Sequence, residues 1–290
     1  MAGRLAAGVE LQAKLHFIAG MPRAGSTLLA AILRQNPKAR AEMTSPVGAI
    51  FNACLTTMGS ADTAAAMDDD VKRRVLKGVF DSYYADADDS AIVFDTNRMW
   101  PARLPAIGQL YPEARIICCV RNPAWVMDSV ERIVRTNAFS INRMFESAAE
   151  RATVYSRTDA LIHANRLIGV AWAALKEAYH GSESERLLLV DYDLLATAPG
   201  EILPAIYRFI DEPPFAHDFD HVQYEAEAFD ERVSARGLHT VKGKVELTPR
   251  PTVLPPDLFR RLESMAFWRG DSGTRATRLI APSPAAKTPA

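Results

Sequence analysis

The chain has 290 residues, of which 48% are hydrophobic and 24% are charged. This length and composition suit one large globular domain or two small ones and exclude an intrinsically disordered protein. Its 34 basic and 35 acidic side chains leave a formal net charge of -1. No overall field would therefore draw the protein to nucleic acid or to an anionic membrane, and any anion site must be local.

The N-terminal sequence and the cysteines bear on location. The first segment, MAGRLAAGVELQAK, is interrupted by Glu10 and lacks the apolar core of a signal peptide. The sequence has no run of about 18 apolar residues without a charge, so it predicts no membrane-spanning helix. Adjacent Cys118 and Cys119 lie in a strand-like run that points them to opposite faces, which does not fit a disulfide framework. We expect a soluble, cytoplasmic protein.

Apolar runs alternate along the chain with amphipathic stretches. Strands are predicted at 15–19, 92–94, 115–120 and 187–190, and helices at 27–35, 71–84, 125–135 and 199–210. Because the strand segments are continuously apolar, they are expected to be buried on both faces, as in a parallel sheet covered by helices. The sequence therefore predicts an α/β fold of the P-loop type, with a doubly wound, mostly parallel sheet flanked by helices.

The remaining stretches complete the predicted organisation. Residues 142–180 predict one or two packing helices. Residues 60–70, which end in three consecutive aspartates, are predicted to be a polar connection with a solvated face. The last ten residues, APSPAAKTPA, have no apolar anchor. We expect a single domain over 1–280 and a disordered tail over 281–290.

The first predicted strand leads into the loop GMPRAGST and then into a helix. Gly20 and Gly25 have the P-loop spacing, and such loops bind phosphate through inward-facing backbone N–H groups and the helix N-terminus. The position after the second glycine, which holds lysine in nucleoside triphosphatases, is Ser26, and a cation lies earlier at Arg23. This departure disfavours ATP with Mg²⁺. A plain glycine turn with a solvated arginine is the alternative for this motif alone.

A second strand-to-helix junction follows the run RIICCV. Arg121 stands at the strand end, Pro123 falls in the first helical turn, and Ser129 lies eight residues after the arginine. The helix start offers open backbone donors, and the strand delivers the arginine to the carboxyl edge of the sheet. Two such junctions predict a bisphosphorylated ligand. The alternatives are an ion pair for Arg121 and an ordinary helix surface position for Ser129.

The first loop resembles the 5′-phosphosulfate loop of sulfotransferases that use 3′-phosphoadenosine-5′-phosphosulfate (PAPS). In those enzymes Lys or Arg precedes a small-Gly-Ser/Thr-Thr run, and Arg and Ser at an eight-residue spacing hold the 3′-phosphate. The resemblance is strongest to the tyrosylprotein sulfotransferases and related bacterial enzymes, and it is concentrated at these two loops. It implies PAPS as co-substrate, bound by Pro22, Arg23, Ala24, Gly25, Ser26, Thr27, Arg121 and Ser129.

The resemblance implies further contacts. Tyr192 matches a tyrosine that these enzymes have at the end of a later strand, so it is a candidate nucleotide contact. Arg98 follows the strand AIVFD where related enzymes have a lysine, which makes it a second electrostatic candidate beside Arg23. Arg132 falls one position early relative to a family arginine and is not assigned.

A general base must accept the proton of the acceptor hydroxyl. Glu42 lies near the position of the catalytic glutamate of tyrosylprotein sulfotransferases, although strict counting places Thr44 there. His239 and Asp95 remain alternatives.

His239 belongs to a late basic segment, LHTVKGK. With Lys242 and Lys244 it forms a patch suited to closing over a nucleotide. A solvated basic loop is the alternative interpretation.

The sequence thus predicts a sulfotransferase that moves the sulfonate of PAPS onto an acceptor hydroxyl of a phenol, an alcohol or a peptide tyrosine. Because the transferred group has one negative charge where a phosphoryl group has two, fixed cations can replace Mg²⁺, and no metal is expected. A P-loop kinase and a non-catalytic nucleotide-binding protein are the alternatives. Whether the protein forms a homodimer is left open.

Overall fold

The computed structural model describes residues 11–89, 91–137, 144–227, 230, 239–270 and 273–281. The strands in these ranges are β1 (Lys14–Gly20), β2 (Ala39–Ala41), β3 (Ile92–Thr96), β4 (Ile116–Val120), β5 (Leu187–Asp191), β6 (Val222–Tyr224), β7 (Val241–Gly243) and β8 (Thr277–Leu279). Within the described residues, six strands form one sheet in the order β2-β3-β1-β4-β5-β8. All neighbours in this sheet pair in parallel.

Helices connect and cover the strands. They are α1 (Ser26–Leu33), α2 (Val47–Met58), α3 (Ala61–Ala64), α4 (Asp69–Tyr83), α5 (Leu104–Leu110), α6 (Pro123–Thr136), α7 (Ala148–Arg151), α8 (Val154–Ile162), α9 (Leu167–His180), α10 (Tyr192–Thr197), α11 (Pro199–Phe209) and α12 (Pro256–Glu263). None of the described helices has the length and apolar character that crossing a bilayer requires.

The predicted fold class is confirmed. Every residue of β3, β4 and β5 is buried, as expected for parallel strands that are covered on both faces. The four predicted strands and four predicted helices are all present, with ends shifted by a few residues. The sequence did not reveal β2 and β8, because each has only three residues and these are mostly not buried.

Two predictions about the connecting regions were wrong or incomplete. The three aspartates do not belong to a plain connection: Asp68 caps α4 by accepting the backbone N–H of Val71 at 2.8 Å, and Asp69 and Asp70 form its first turn. Negative charge is favourable there because a helix N-terminus is partly positive. The middle region contains three helices, α7 to α9, rather than one or two. The predicted tail lies almost wholly outside the described residues.

The two remaining strands, β6 and β7, pair antiparallel beside the main sheet. Both contact α1, the helix that follows the first loop. This ribbon therefore brings the late basic segment, which includes β7, next to the loop between β1 and α1.

Candidate active site

A cleft of about 580 Å³ lies at the carboxyl edge of the parallel sheet. Residues at the ends of four strands line it, namely Gly20 at the end of β1, Thr96 at the end of β3, Arg121 after β4 and Tyr192 after β5. From β1 the chain goes to β2 on one side, and from β4 it goes to β5 on the other. Ligands of open α/β sheets bind at such a reversal of strand order.

The loop between β1 and α1 depends on backbone angles that favour glycine. Gly20 has φ 122° and Gly25 has φ 103°. A Cβ atom at Gly20 would overlap the backbone of Cys119 in β4, and one at Gly25 would lie 2.8 Å from Cδ2 of Tyr192. Arg23 also has a left-handed backbone, with φ 63°, which is uncommon for a residue with a side chain. The loop therefore holds Arg23 in a strained conformation, as is frequent at functional sites.

A hydrogen bond joins the two predicted anion loops. Nε of Arg23 donates to Oγ of Ser129 at 3.1 Å, although 106 residues separate them. Burial lowers the pKa of the Arg23 guanidinium, and the positive charge of Arg121 lowers it further. Two arginines held together in a partly desolvated cleft are unfavourable by themselves, so a bound anion would relieve their repulsion.

The Arg121 side chain stacks on Tyr192, the residue that the sequence predicts to contact the nucleotide. Its Cζ lies 4.1 Å from the ring centroid of Tyr192. Burial lowers the pKa of Arg121, while the nearby Tyr192 and Asp193 raise it. The Nε atom of Arg121 is buried and has no hydrogen-bond partner among the described residues. Because buried donors in native proteins are almost always paired, this atom suits an acceptor oxygen of a ligand.

A buried carboxylate beside Ser129, missed by the sequence analysis, fixes a distant segment. Asp128 is fully buried and accepts from Nε of Arg132 at 2.9 Å, a guanidinium nitrogen of Arg250 at 2.9 Å, Oγ1 of Thr252 at 3.1 Å and the backbone N–H of Val253 at 2.8 Å. Burial alone would raise the pKa of Asp128, but these donors outweigh it and hold the pKa below its usual value.

This carboxylate also binds a third arginine. The positive charge of Arg250 helps to lower the pKa of both Arg23 and Arg121. Arg132, which the sequence analysis left unassigned, is directed to Asp128 instead. No sequence pattern points to this arrangement, because Asp128 and Arg250 are 122 residues apart.

The end of β3 supplies another polar part of the wall. Thr96, Asn97 and Arg98 line the cleft, as expected for Arg98. The Oγ1 atom of Thr96 is buried and has no partner among the described residues. Thr96 was missed, although a polar residue at the end of a buried parallel strand is a signal for it.

Asp95, one of the alternative bases, is not among the residues that line the cleft. Its carboxylate is fully buried and accepts from Oγ of Ser45 at 2.5 Å, the hydroxyl of Tyr84 at 2.7 Å and Nε1 of Trp100 at 2.8 Å. These donors occupy both carboxylate oxygens. Asp95 therefore stabilises the packing around α2 and α4 and does not reach an acceptor.

Glu42 also does not line the cleft, whereas Thr44, two residues later, does. The Glu42 side chain is 52% exposed, and its Oε2 accepts from Arg34 at 3.3 Å and from the hydroxyl of Tyr224 at 3.0 Å. The structure therefore does not bring Glu42 together with Arg23. The cause is the direction of the side chain, which the order of residues does not specify.

The late basic segment folds over the cleft, which His239 and Lys244 both line. Nδ1 of His239 lies 2.6 Å from Oδ1 of Asp230. Lys244 is exposed and pairs with Asp220 at 3.1 Å. The backbone of Lys242 lies in β7, and its side chain falls outside the described part of the structure. Among the catalytic candidates, Arg23, Arg98 and His239 are thus brought together.

The rest of the wall is largely apolar. It includes Met43, Val130, Ile133, Met144, Leu167, Val241 and Val245. Among the described residues, no cluster of three His, Cys, Asp or Glu side chains could hold a metal ion.

Comparisons with known proteins agree with this architecture. A model of the sulfotransferase family matches residues 16–217. A solved sulfotransferase, STF9 from Mycobacterium avium, superposes with a TM-score of 0.51 at 14% identity, over 94% of this chain and 80% of that one. A sulfotransferase domain from the curacin biosynthetic pathway has a TM-score of 0.50 at 15% identity, over 87% of this chain and 96% of that one. No curated protein matches the sequence.

Proposed function

Since the chain belongs to the sulfotransferase family, we propose that its cleft binds PAPS and transfers the sulfonate to an acceptor hydroxyl through the residues described above. Family and fold together confirm the predicted class of enzyme, a PAPS-dependent sulfotransferase, and do not favour the kinase alternative. The assignment of roles to individual residues is our proposal.

The hydrogen bond between Arg23 and Ser129 is the observation on which the proposal depends. It places the cation of the first loop beside the second junction, so that one ligand can touch both. The residues fit such a ligand. The buried Nε of Arg121, which has no partner among the described residues, suits a phosphate oxygen, and the glycine loop leaves its backbone close to the cleft.

The two junctions have different tasks. We assign Arg121, Ser129 and Tyr192 to the 3′-phosphate end of the nucleotide, because Arg121 has a buried Nε without a partner among the described residues and stacks on Tyr192, and because Ser129 follows it on α6. Arg23 and the loop from Pro22 to Thr27 hold the 5′ end. PAPS supplies the activated sulfonate, and charge develops on the bridging oxygen during transfer. Arg23 stabilises that charge, and Arg98, which also lines the cleft, stabilises the sulfonate oxygens.

The apolar wall favours an acceptor that has an apolar body and a single hydroxyl group. Side chains from α6, α9 and β7, together with Met43 and Val245, line the cleft. Specificity pockets of this kind retain ligands mainly through burial of apolar surface, with a few polar groups that fix orientation. A phenol or a hydrophobic alcohol suits this wall better than a charged peptide around a tyrosine.

Binding of adenosine 3′,5′-bisphosphate (PAP), the nucleotide product, tests the proposal. PAP should raise the melting temperature without Mg²⁺ and, at a concentration of a hundred times its dissociation constant, add about 2.7 kcal/mol of stability. Adenosine 5′-phosphate should bind much more weakly, because it lacks the 3′-phosphate. Stabilisation by Mg-ATP alone, or equal affinity for PAP and adenosine 5′-phosphate, would contradict the proposal.

A further inference from the structure

We infer that Asp230 and His239 form a proton-accepting pair, in which His239, at the cleft wall, takes the proton of the acceptor hydroxyl and Asp230 is the residue that positions it. This inference rests on the proposed function and names the base that sulfonate transfer requires. His239 was one of several candidate bases, whereas Asp230 has no signal in the sequence.

Asp230 holds His239 at two points. Its Oδ1 lies 2.6 Å from Nδ1 of the imidazole, and its Oδ2 accepts the backbone N–H of His239 at 3.0 Å. The carboxylate is 1% exposed and the imidazole side chain 20% exposed. With both oxygens engaged, the carboxylate cannot turn away from the ring. It therefore fixes the tautomer in which Nδ1 has the hydrogen and Nε2 is the basic nitrogen.

His239 lies where a base is needed. His239 lines the cleft together with Arg23 and Arg98, the cations assigned to the reacting group. Burial lowers the pKa of His239, Asp230 raises it, and the charges of Arg23 and Arg98 lower it again, for a net pKa below the usual value. Lys244 and Glu246 are further charged groups in this wall. A histidine with a lowered pKa is neutral at pH 7, which is the form that accepts a proton.

The two carboxylates that the sequence offers as alternative bases do not compete for this task. Both oxygens of Asp95 are taken by three donors in the core. Glu42 is exposed and paired outside the cleft. Among the candidate bases named from the sequence, His239 alone has its described side chain in the wall beside Arg23.

Sulfonate transfer through this pair couples one bond formed at sulfur, one bond broken at sulfur and one proton transfer. The acceptor oxygen forms a bond to sulfur while its proton passes to Nε2 of His239. The bond from sulfur to the bridging oxygen breaks, and its electrons stay on the 5′-phosphate of PAP. The imidazolium that results is stabilised by Asp230 and returns its proton to solvent.

The chain contains a matched pair for comparison. His221 and Asp218 make the same type of contact, with Nδ1 2.9 Å from Oδ2, but their side chains are 79% and 59% exposed and lie outside the cleft lining. If the contact between Asp230 and His239 served only to hold the chain, its removal would change stability without changing the protonation chemistry of the cleft.

Nitrogen-15 histidine spectra of the full chain test the positioning role without turnover. His239→Gln assigns the signal, and the spectra are recorded with and without PAP. We expect the wild-type ring in the tautomer with hydrogen on Nδ1 at pH 7.5, and we expect Asp230→Asn to disturb that tautomer. Hydrogen on Nε2 in the wild type, or an unchanged tautomer in Asp230→Asn, would overturn the inference.

Release of PAP from PAPS, with phenol and with water as acceptors, tests the catalytic role. His239→Gln should lower the rate roughly 10²-fold or more, while stabilisation by PAP is retained.

The rate of the wild type should fall as the pH drops through the pKa of His239, below 6.5, because the base must be neutral. Asp230→Asn removes the influence that raises this pKa, so the acidic limb should move to lower pH, whereas His221→Gln should leave the profile unchanged.

The outcomes separate the two proposals. If PAP does not stabilise the wild type, or no PAP is formed from PAPS, the proposed function fails. If PAP stabilises the wild type and PAPS turns over, but His239→Gln reacts at the normal rate, only the pair is overturned. An unmoved acidic limb in Asp230→Asn would remove Asp230 from the mechanism.

Discussion

The guanidinium of Arg121 lies over the ring of Tyr192, with Cζ 4.1 Å from the ring centroid. The same ring lies against the first loop, since a Cβ atom on Gly25 would come within 2.8 Å of its Cδ2. One aromatic side chain at the end of β5 therefore contacts both the loop after β1 and the arginine after β4. Because this ring contacts both junctions that we propose to bind anions, small changes to it should affect the binding of the nucleotide.

Replacement of Tyr192 tests this dependence. Tyr192→Leu should weaken the binding of PAP about tenfold, because a partly desolvated cation–π contact contributes roughly 1 to 2 kcal/mol. Tyr192→Phe is the matched control, since it retains the ring and should bind PAP within a few-fold of the wild type. Isothermal titration calorimetry measures both affinities. A larger loss for Tyr192→Phe than for Tyr192→Leu would show that the hydroxyl group, not the ring, is what matters.

Gly25 should tolerate no side chain. Gly25→Ala places a Cβ against Tyr192 at a backbone φ of 103° and should cost about 1 to 3 kcal/mol of stability, with loss of PAP binding. Gly78→Ala is the control, because nothing lies within 4 Å of its added methyl group in α4, and it should stabilise the protein by up to about 1 kcal/mol. Thermal unfolding with and without PAP gives both quantities. Equal effects of the two substitutions would contradict this account of the loop.

Arg121 and Arg23 should differ in kinetics. Arg121→Ala should raise the KM for PAPS with little change in kcat, because a 3′-phosphate contact is present equally in the ground and transition states. Arg23→Ala should lower kcat by 10² to 10³, roughly 3 to 4 kcal/mol, since it removes a contact to developing charge. Initial rates over a range of PAPS concentrations separate the two patterns. The same pattern for both mutants would refute the division of roles.

Glu42→Gln distinguishes between two candidate bases, Glu42, which the family resemblance suggests, and His239, which we infer from the structure. The exposed Glu42 carboxylate pairs with Arg34 and Tyr224, so the substitution should leave kcat within a few-fold of the wild type. The release of PAP from PAPS at saturation is the measurement. A loss of 10²-fold or more with unchanged affinity for PAPS would return the role of the base to Glu42.

The fold class and the two junctions could be predicted from the residues alone. Continuous apolar runs specify buried parallel strands, and the junctions are local, because Gly20 and Gly25 act within one loop and Ser129 follows Arg121 within one strand-to-helix unit. Strand ends of a parallel sheet meet at one edge, so even the nearness of these two junctions follows from the pattern.

The role of each buried carboxylate, in contrast, depends on how the folded chain packs around it. Asp95, Asp128 and Asp230 are the same residue type, yet one stabilises the core, one fixes the segment around Arg250, and one holds His239. Their partners come from segments that local periodicity does not relate, and the direction of a side chain depends on how those segments pack. Burial and hydrogen bonding set the charge and reach of an acidic group, and both arise only when the chain has folded.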